Sequence, residues 1–426
     1  MKILIAGAGI GGLAAALSLH AEGFTDITVA ETVREIRPLG VGLNILPNAV
    51  RELDELGVYE DLAAVSVRTG ELSYYNRFGS LIWNEPRGLG AGYNWPQLSI
   101  HRGRLQMVLA DAVRKRLGPD SIVTDTRVTG FTSMPAGRLR VSVAHPSTGA
   151  TSETEADVLL GADGIHSAVR AALHPDAAPP RWNGLVVWRG ATWAKPFLNG
   201  RTMIIAGDDR RRGVVYPMTM GATPDEPVLM NWAVARRADS GEVPDRADWN
   251  REVRPEEFLP HFADWGFDWL DLPGLVSTAD TAFEYPMVDR DPLPFWTAGR
   301  VTLLGDAAHA MYPMGSNGAT QSIVDARVFA QCLARHADPE EALAAYEERR
   351  RPAMTQLQAK NRQMGPEIVI NIAHERAPDG FASIHDVMSE AELKEISARY
   401  AQVGAFDTDT VNQRPDRRAR VVKVSA

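Results

Sequence analysis

The stretch "KILIAGAGIGGLAAALSLHAEG" constrains this chain more than any other. Gly7, Gly9 and Gly12 stand in G-x-G-x-x-G register between an apolar run that reads as a buried strand and a run that reads as a helix closed by Gly23. Without side chains at these positions the backbone turns tightly, approaches a pyrophosphate and packs helix against strand. The helix N-terminus directs about +0.5 of a charge toward the phosphates. "DITVAE" reads as the next strand, and Glu31 at its end lies 19 residues beyond Gly12, where a carboxylate accepts hydrogen bonds from a ribose diol. This βαβ unit predicts an α/β fold with a dinucleotide ligand; alone, it leaves NAD and FAD open.

A second run of small residues needs its own explanation. In "VTLLGDAAHAMYPMGSNGATQSIVDA", Asp306 ends a strand, His309 follows, and Pro313, Gly315, Asn317 and Gly318 precede another helix. Between the two runs, "DVLLGADGIHSAVR" delivers Asp163 and Gly164 into a turn before a helix that contains Ser167 and Arg170, with His166 read as a helix-start residue. Taken alone, a D-G pair is only a turn. Two phosphate-friendly turns and two ribose-type carboxylates exceed what the AMP half of a dinucleotide requires. They predict a ligand with a second polyol and an extended flat ring, and FAD has both.

The rest of the chain alternates between two textures. Residues 1–70, 99–180 and 287–351 read as an FAD-binding domain of strands and helices. Residues 71–98, with the hairpin-like "ELSYYNRFGSLIWNEP", and the tryptophan-rich 181–286 read as a second, mixed-sheet domain for the substrate. Residues 352–426 read as a C-terminal helical region ending in the basic tail "NQRPDRRARVVKVSA". Net charge −9 works against a nucleic-acid partner, and no apolar stretch reaches the ~18 residues of a membrane span. The single cysteine, Cys332, excludes an intrachain disulfide, reads as a buried structural thiol and fits a cytoplasmic location. No metal-ligand spacing is present.

The segments "GAGIGG" with Glu31, "GADGIHSAVR" and "LLGDAAHAMYPMGSNGA" resemble those of the single-component FAD-dependent aromatic hydroxylases, the p-hydroxybenzoate hydroxylase-like flavoprotein monooxygenases, in consistent order over residues 1 to about 351. "REIRPLGVGLNILPNAV", "SIHRGRLQM", "WRG" and "YPMVDRDPLPFW" look most like the phenazine-modifying, pyocyanin-forming branch. The resemblance implies a Rossmann-like FAD-binding domain of the GR2 type interleaved with a mixed β-sheet substrate domain. It implies tightly but non-covalently bound FAD, NAD(P)H as transient electron donor, and hydroxylation of a small aromatic substrate by dioxygen through a flavin hydroperoxide, in a monomer or homodimer. It places Gly7, Gly9 and Gly12 at the pyrophosphate, Glu31 at the adenosine ribose and Asp306 at the ribityl chain. Arg102 then lies against the cofactor, and Asp163 and Gly164 support both FAD and incoming NAD(P)H. Gly42, Leu43 and Pro313 to Gly318 border the flavin ring. Where many relatives have Gln-Gly, this chain has Asn317 and Gly318.

No side chain is singled out as catalytic, because the flavin carries the chemistry. Trp188, Arg189, Tyr216, Pro313 and Met314 are expected to line the substrate pocket, with Arg189 pairing a substrate carboxylate. His309 belongs to the flavin motif and reads as structural. The absence of an obvious base favours an N-heteroaromatic carboxylic acid, activated by its own ring and able to lose carbon dioxide, over a simple phenol. Two other readings stay open on the sequence: a dehydrogenase without oxygen transfer, and a non-catalytic flavin redox sensor. A flavin halogenase lacks support, since its W-x-W-x-x-I-P signature is missing and "DWGFDWL" has the wrong spacing.

Overall fold

A computed structural model describes residues 1–239, 251–279 and 281–413. Strand Ile3–Ala6 is the middle of a five-stranded parallel sheet in the order Val301–Leu303, Val158–Gly161, Ile3–Ala6, Ile27–Ala30, Ile122–Val123. All four of its residues are buried, so an unbroken apolar run encodes it where a half-exposed strand would alternate. In register, Ala6, Gly161 and Leu303 are neighbours. The three motif turns that follow them therefore open side by side at one edge, the usual ligand edge of a parallel sheet.

Helix Ile10–Ala21 buries Leu13, Ala14, Ala15, Ala16 and Leu17 because it is wedged between the sheet and helices Arg102–Leu117 and Asn317–Arg335. Gly11 admits the last of these. A methyl there would meet Leu304 Cδ2 at 2.6 Å and Ser322 Cβ at 3.2 Å.

The second sheet has eight strands, in the order Arg251–Val253, Ala282–Asp289, Arg181–Ala194, Val228–Arg237, Arg211–Pro217, Thr202–Gly207, Glu71–Asn76, Leu81–Pro86. Its pairs are antiparallel except for Thr202–Gly207 with Glu71–Asn76. The edge hairpin is the segment whose aromatic and polar residues alternate around Gly79. One face packs an aromatic core of Trp188, Trp232, Phe258, Phe262 and Trp265; the other faces the first sheet's ligand edge, across the small sheet of Gly42–Ile45, Gln97–His101 and Ser66–Thr69.

Helix Pro339–Arg362 runs through Pro352, where the sequence suggests a change of region. An interior proline costs an isolated helix about 3 kcal/mol. Here buried Tyr346, Arg350, Met354 and Leu357 anchor the helix on either side of it. Helices Ile368–Arg376, Glu390–Val403 and Thr408–Gln413 follow. The basic tail beyond residue 413 lies outside the described residues. Among the described residues no helix is long and apolar enough to cross a membrane.

Candidate functional site

A cleft of about 430 Å³ lies between the ligand edge of the parallel sheet and the face of the eight-stranded sheet. Its glycines fall into two classes. At Gly9, Gly164 and Gly318, all on the cleft wall, an added methyl finds no heavy atom within 4 Å. Nothing in the protein needs the space left at Gly9 and Gly318, so their bare backbone fits close approach by a ligand. At Gly7 (φ +100°) a methyl would meet the Ala162 carbonyl oxygen at 2.6 Å, and at Gly12 it would strike the Gly7 carbonyl oxygen at 2.0 Å. These two hold strand, turn and helix together and do not line the cleft.

The motif carboxylates differ in the same way. Glu31 accepts from the Ala8 N–H at 2.7 Å and the Val33 N–H at 3.0 Å, stiffening the glycine turn away from the cleft wall. Asp163 Oδ2 accepts from the Ala168 and Val169 N–H groups at 2.7 and 3.3 Å, capping helix Ala168–Leu173 together with Ser167, while Oδ1 is buried without a partner among the described residues. Asp163 and Ser167 thus both cap this helix. Asp306 opens directly onto the cleft. Enclosure by the protein pushes its carboxyl above the ordinary range, opposed by His309, Arg102 and Arg170. Arg170, itself lowered to about 10 by burial and by Arg290, donates to the carbonyls of Ala307 (3.1 Å) and Ile165 and so ties two motif turns together.

Behind Asp306, His309 Nε2 lies 2.6 Å from Asp325 Oδ2, and Arg350 Nε donates to Asp325 Oδ1 at 2.6 Å. Burial alone would raise the Asp325 carboxyl; Arg350 and His309 hold it down at about 2. The Pro313–Gly318 turn is braced by a residue with no sequence motif. The Tyr400 hydroxyl lies 2.8 Å from the Met314 carbonyl oxygen and 2.7 Å from Asn361 Oδ1, and accepts from Asn317 Nδ2 at 2.9 Å. Gly315 (φ +63°) exists for this contact, since a methyl would meet the Tyr400 ring at 2.3 Å.

The cofactor side and the eight-stranded sheet touch at Gly42. Its N–H donates to Asn231 Oδ1 at 2.7 Å, and a methyl there would meet Tyr216 and Asn231 at 2.7 Å. Leu43, Arg102, Pro313, Met314, Gly315, Asn317, Arg189 and Tyr216 also line the cleft. Trp188 does not. It faces the other side of the sheet, stacked on Phe258 at 5.0 Å and donating to Glu284 at 2.9 Å. Successive strand residues point to opposite faces, so Trp188 and Arg189 cannot share one pocket.

Arg189 is a cation without a counter-ion. Its Nε is buried with no hydrogen-bond partner, and no carboxylate among the described residues pairs with it. Burial lowers the guanidinium, and the hydroxyls of Tyr216 and Tyr285 offset this in part. Tyr74, Arg87, Gln97, Arg212, Glu367 and Asn371 also line the cleft, beyond the residues the sequence motifs point to. Tyr74 and Arg212 could have been found by counting alternate positions along their strands; Glu367 and Asn371 sit in a C-terminal segment without a recognisable pattern.

The chain matches the FAD binding domain family over residues 1–255 and 288–361. It is 44% identical to a phenazine 1,6-dicarboxylic acid hydroxylase of Lysobacter antibioticus, covering 94% of this chain and 96% of that one. It is 30% identical to a 3-hydroxybenzoate 6-hydroxylase of Aquipseudomonas alcaligenes, covering 85% and 88%. A salicylate hydroxylase substrate complex superposes with a TM-score of 0.72 at 23% identity, covering 97% of each chain, which supports the fold. The bare glycines at Gly9 and Gly318 and the open Asp306 carboxyl fit the cofactor that the match implies. The chain belongs to the FAD binding domain family and is an FAD-dependent aromatic monooxygenase.

Proposed function

We propose that this chain hydroxylates a planar N-heteroaromatic carboxylic acid of the phenazine carboxylate class, with NAD(P)H as transient electron donor and dioxygen as co-substrate. The identity to a phenazine 1,6-dicarboxylic acid hydroxylase over nearly the whole of both chains carries this reading. When bound, FAD supplies the redox chemistry and the oxygen transfer.

The chain's own residues bind, orient and exclude water. Gly9 presents bare backbone to the pyrophosphate, in a turn that Gly7 and Gly12 shape by close packing and that Glu31 stiffens from behind. Asp306 receives the ribityl hydroxyls, and Arg102 and the Asp163–Gly164 turn support the cofactor's polar parts. Gly42, Leu43, Pro313, Gly315, Asn317 and Gly318 border the ring. Val214 and Ala233 give the substrate a flat, dry floor beside Tyr216 and Met314. Arg189, desolvated and unpaired, receives the substrate carboxylate through two parallel hydrogen bonds.

Burial pushes the Tyr216 hydroxyl upward, against the weaker effects of Arg189 and Asn44, so it stays protonated at neutral pH and is no base. That favours a substrate activated by its own ring and losing its carboxyl group on hydroxylation. The enzyme acts as a monomer or homodimer in the cytoplasm, where reduced nicotinamide is available. The test is product mass under labelled dioxygen. A phenazine carboxylate should gain one labelled oxygen, with carbon dioxide release reporting decarboxylation. Oxidation of NAD(P)H with no label in any phenazine product would refute the reading.

A further inference from the structure

The cleft face of the eight-stranded sheet can be read as rows. Register places Arg189, Ala233, Val214, Ile205 and Tyr74 in one line across five strands. Tyr216 and Asn231, which touch Gly42, lie in the row on one side; Arg212 lies in the row on the other. Arg189 and Arg212 are two strands and one row apart, roughly 12 Å between Cα atoms at ordinary sheet spacings. Only small and aliphatic side chains, Ala233 and Val214 among them, stand between. A cationic group thus sits on each side of a flat apolar floor, and Arg212 is the one further from the cofactor side.

The two cations differ in their partners. Arg189 has no carboxylate among the described residues and meets only the Tyr285 ring, at 5.8 Å. Arg212 is fixed in place, donating to Asn371 Oδ1 at 2.6 Å and to the carbonyls of Asp208 (3.1 Å) and Glu367 (3.3 Å). Its one carboxylate contact is loose, 3.5 Å from Nη1 to Glu367 Oε2. In the same row as Arg189 and two strands from Arg212, the fully buried Tyr74 lines the cleft with its hydroxyl against Arg87. A buried hydroxyl and a positioned guanidinium on one face of the cleft are a place for an oxyanion.

Resting on the proposed function, we infer that Arg212 and Tyr74 form a second anion-receiving pole, so that the cleft selects an aromatic diacid over the matching monoacid. Glu367 is the competitor at this pole. Two carboxylates cannot both claim Arg212 in a buried site, so the diacid's second carboxylate binds when Glu367 holds a proton. The groups around Glu367 bear this out. Arg212 is the charge that acts on it directly, and burial overrides that attraction, raising its carboxyl to about 7. Tyr74 and Tyr400 approach it as neutral hydroxyls. Arg87 is held by Glu85 at 2.7 Å, Arg362 by Asp289 at 2.6 Å, and His374 lies 3.3 Å from Asp209. Asp208 and Asp209 flank Arg212 from the preceding turn.

The sign follows. Below about pH 7 Glu367 is protonated and the pole is open to the second carboxylate; above it, ionised Glu367 occupies Arg212. Monoacid binding at Arg189 does not engage this exchange.

The experiment is equilibrium dialysis of the FAD-loaded enzyme against phenazine-1,6-dicarboxylate and phenazine-1-carboxylate from pH 6 to 9, where both ligands are ionised. The diacid-to-monoacid affinity ratio should fall toward tenfold per pH unit above about 7 in the natural enzyme and become pH-independent in Glu367→Gln. Tyr74→Phe, which keeps the buried ring, should lower the ratio about tenfold at pH 6.5, the loss expected for one hydrogen bond to a charged group. A ratio that is flat with pH in the natural enzyme, or that keeps the same slope in Glu367→Gln, overturns the second pole. So does a ratio unmoved by Tyr74→Phe. If neither phenazine binds at any pH, the proposed function itself fails, and the pole with it.

Discussion

Replacing Arg189 with methionine separates a residue kept for a ligand from one kept for the fold. The guanidinium is desolvated, has no carboxylate partner and leaves Nε unsatisfied, so in the ligand-free protein it is a net cost. Methionine retains an apolar stem and removes that cost, giving up only the approach of the guanidinium to the Tyr285 ring at 5.8 Å. Thermal stability should therefore hold or rise, by a gain of about 1 kcal/mol or more if the unsatisfied charged group carries its usual penalty. Binding should move the other way. A fork-to-carboxylate contact comprises two charge-assisted hydrogen bonds worth about 1.5 kcal/mol each at the low end, so about 3 kcal/mol, or roughly a hundredfold in Kd, is lost. The assay pairs differential scanning fluorimetry of the FAD-loaded protein with equilibrium dialysis of a phenazine carboxylate. A lowered melting temperature accompanied by flavin loss, with substrate affinity falling no further than flavin affinity, would show that Arg189 serves the fold.

The other perturbations divide along the same line. Gly9→Ala should leave the melting temperature of the flavin-free protein near its original value, because nothing lies within 4 Å of the added Cβ, yet weaken flavin retention on gel filtration. Gly12→Ala, by contrast, strikes the Gly7 carbonyl and should give little folded protein in circular dichroism. Asp306→Ala should weaken FAD by about 1–3 kcal/mol through loss of an acceptor, and unchanged flavin content after dilution would count against its assignment. Asp325 contributes stability that is fully present above the unfolded carboxyl range near 4 and is lost as pH falls toward about 2. Urea midpoints measured between pH 5 and 3 should fall less steeply in Asp325→Asn than in the natural protein, from a lower starting value; parallel slopes would refute the linkage.

What could be read from the sequence was local chemistry with a fixed spacing. The three parallel strands and the turns after them were legible because each couples an unbroken apolar run to a glycine whose absence of a side chain is itself a signal. The alternating hairpin of Glu71–Asn76 and Leu81–Pro86 was legible for the same reason, with a period of two in place of an unbroken run. Trp188 was misplaced by neglect of that same period. A strand sends Trp188 and its neighbour Arg189 to opposite faces, so parity places the tryptophan in the aromatic core and the arginine in the cleft. Tyr400 and Glu367 lay beyond reach for a different reason. Each acts through a single contact across the fold: Tyr400 reaches the Pro313–Gly318 turn, 86 residues away from Met314, and Glu367 reaches Arg212 across 155. No local periodicity encodes a pairing that depends only on where two distant elements dock. The glycines illustrate the boundary best. Gly9 and Gly12 look alike as letters in one motif, and only the atoms around them show that one leaves room for a ligand while the other leaves room for the chain itself. A motif thus reports that backbone must come close to something, and the packing decides what that something is.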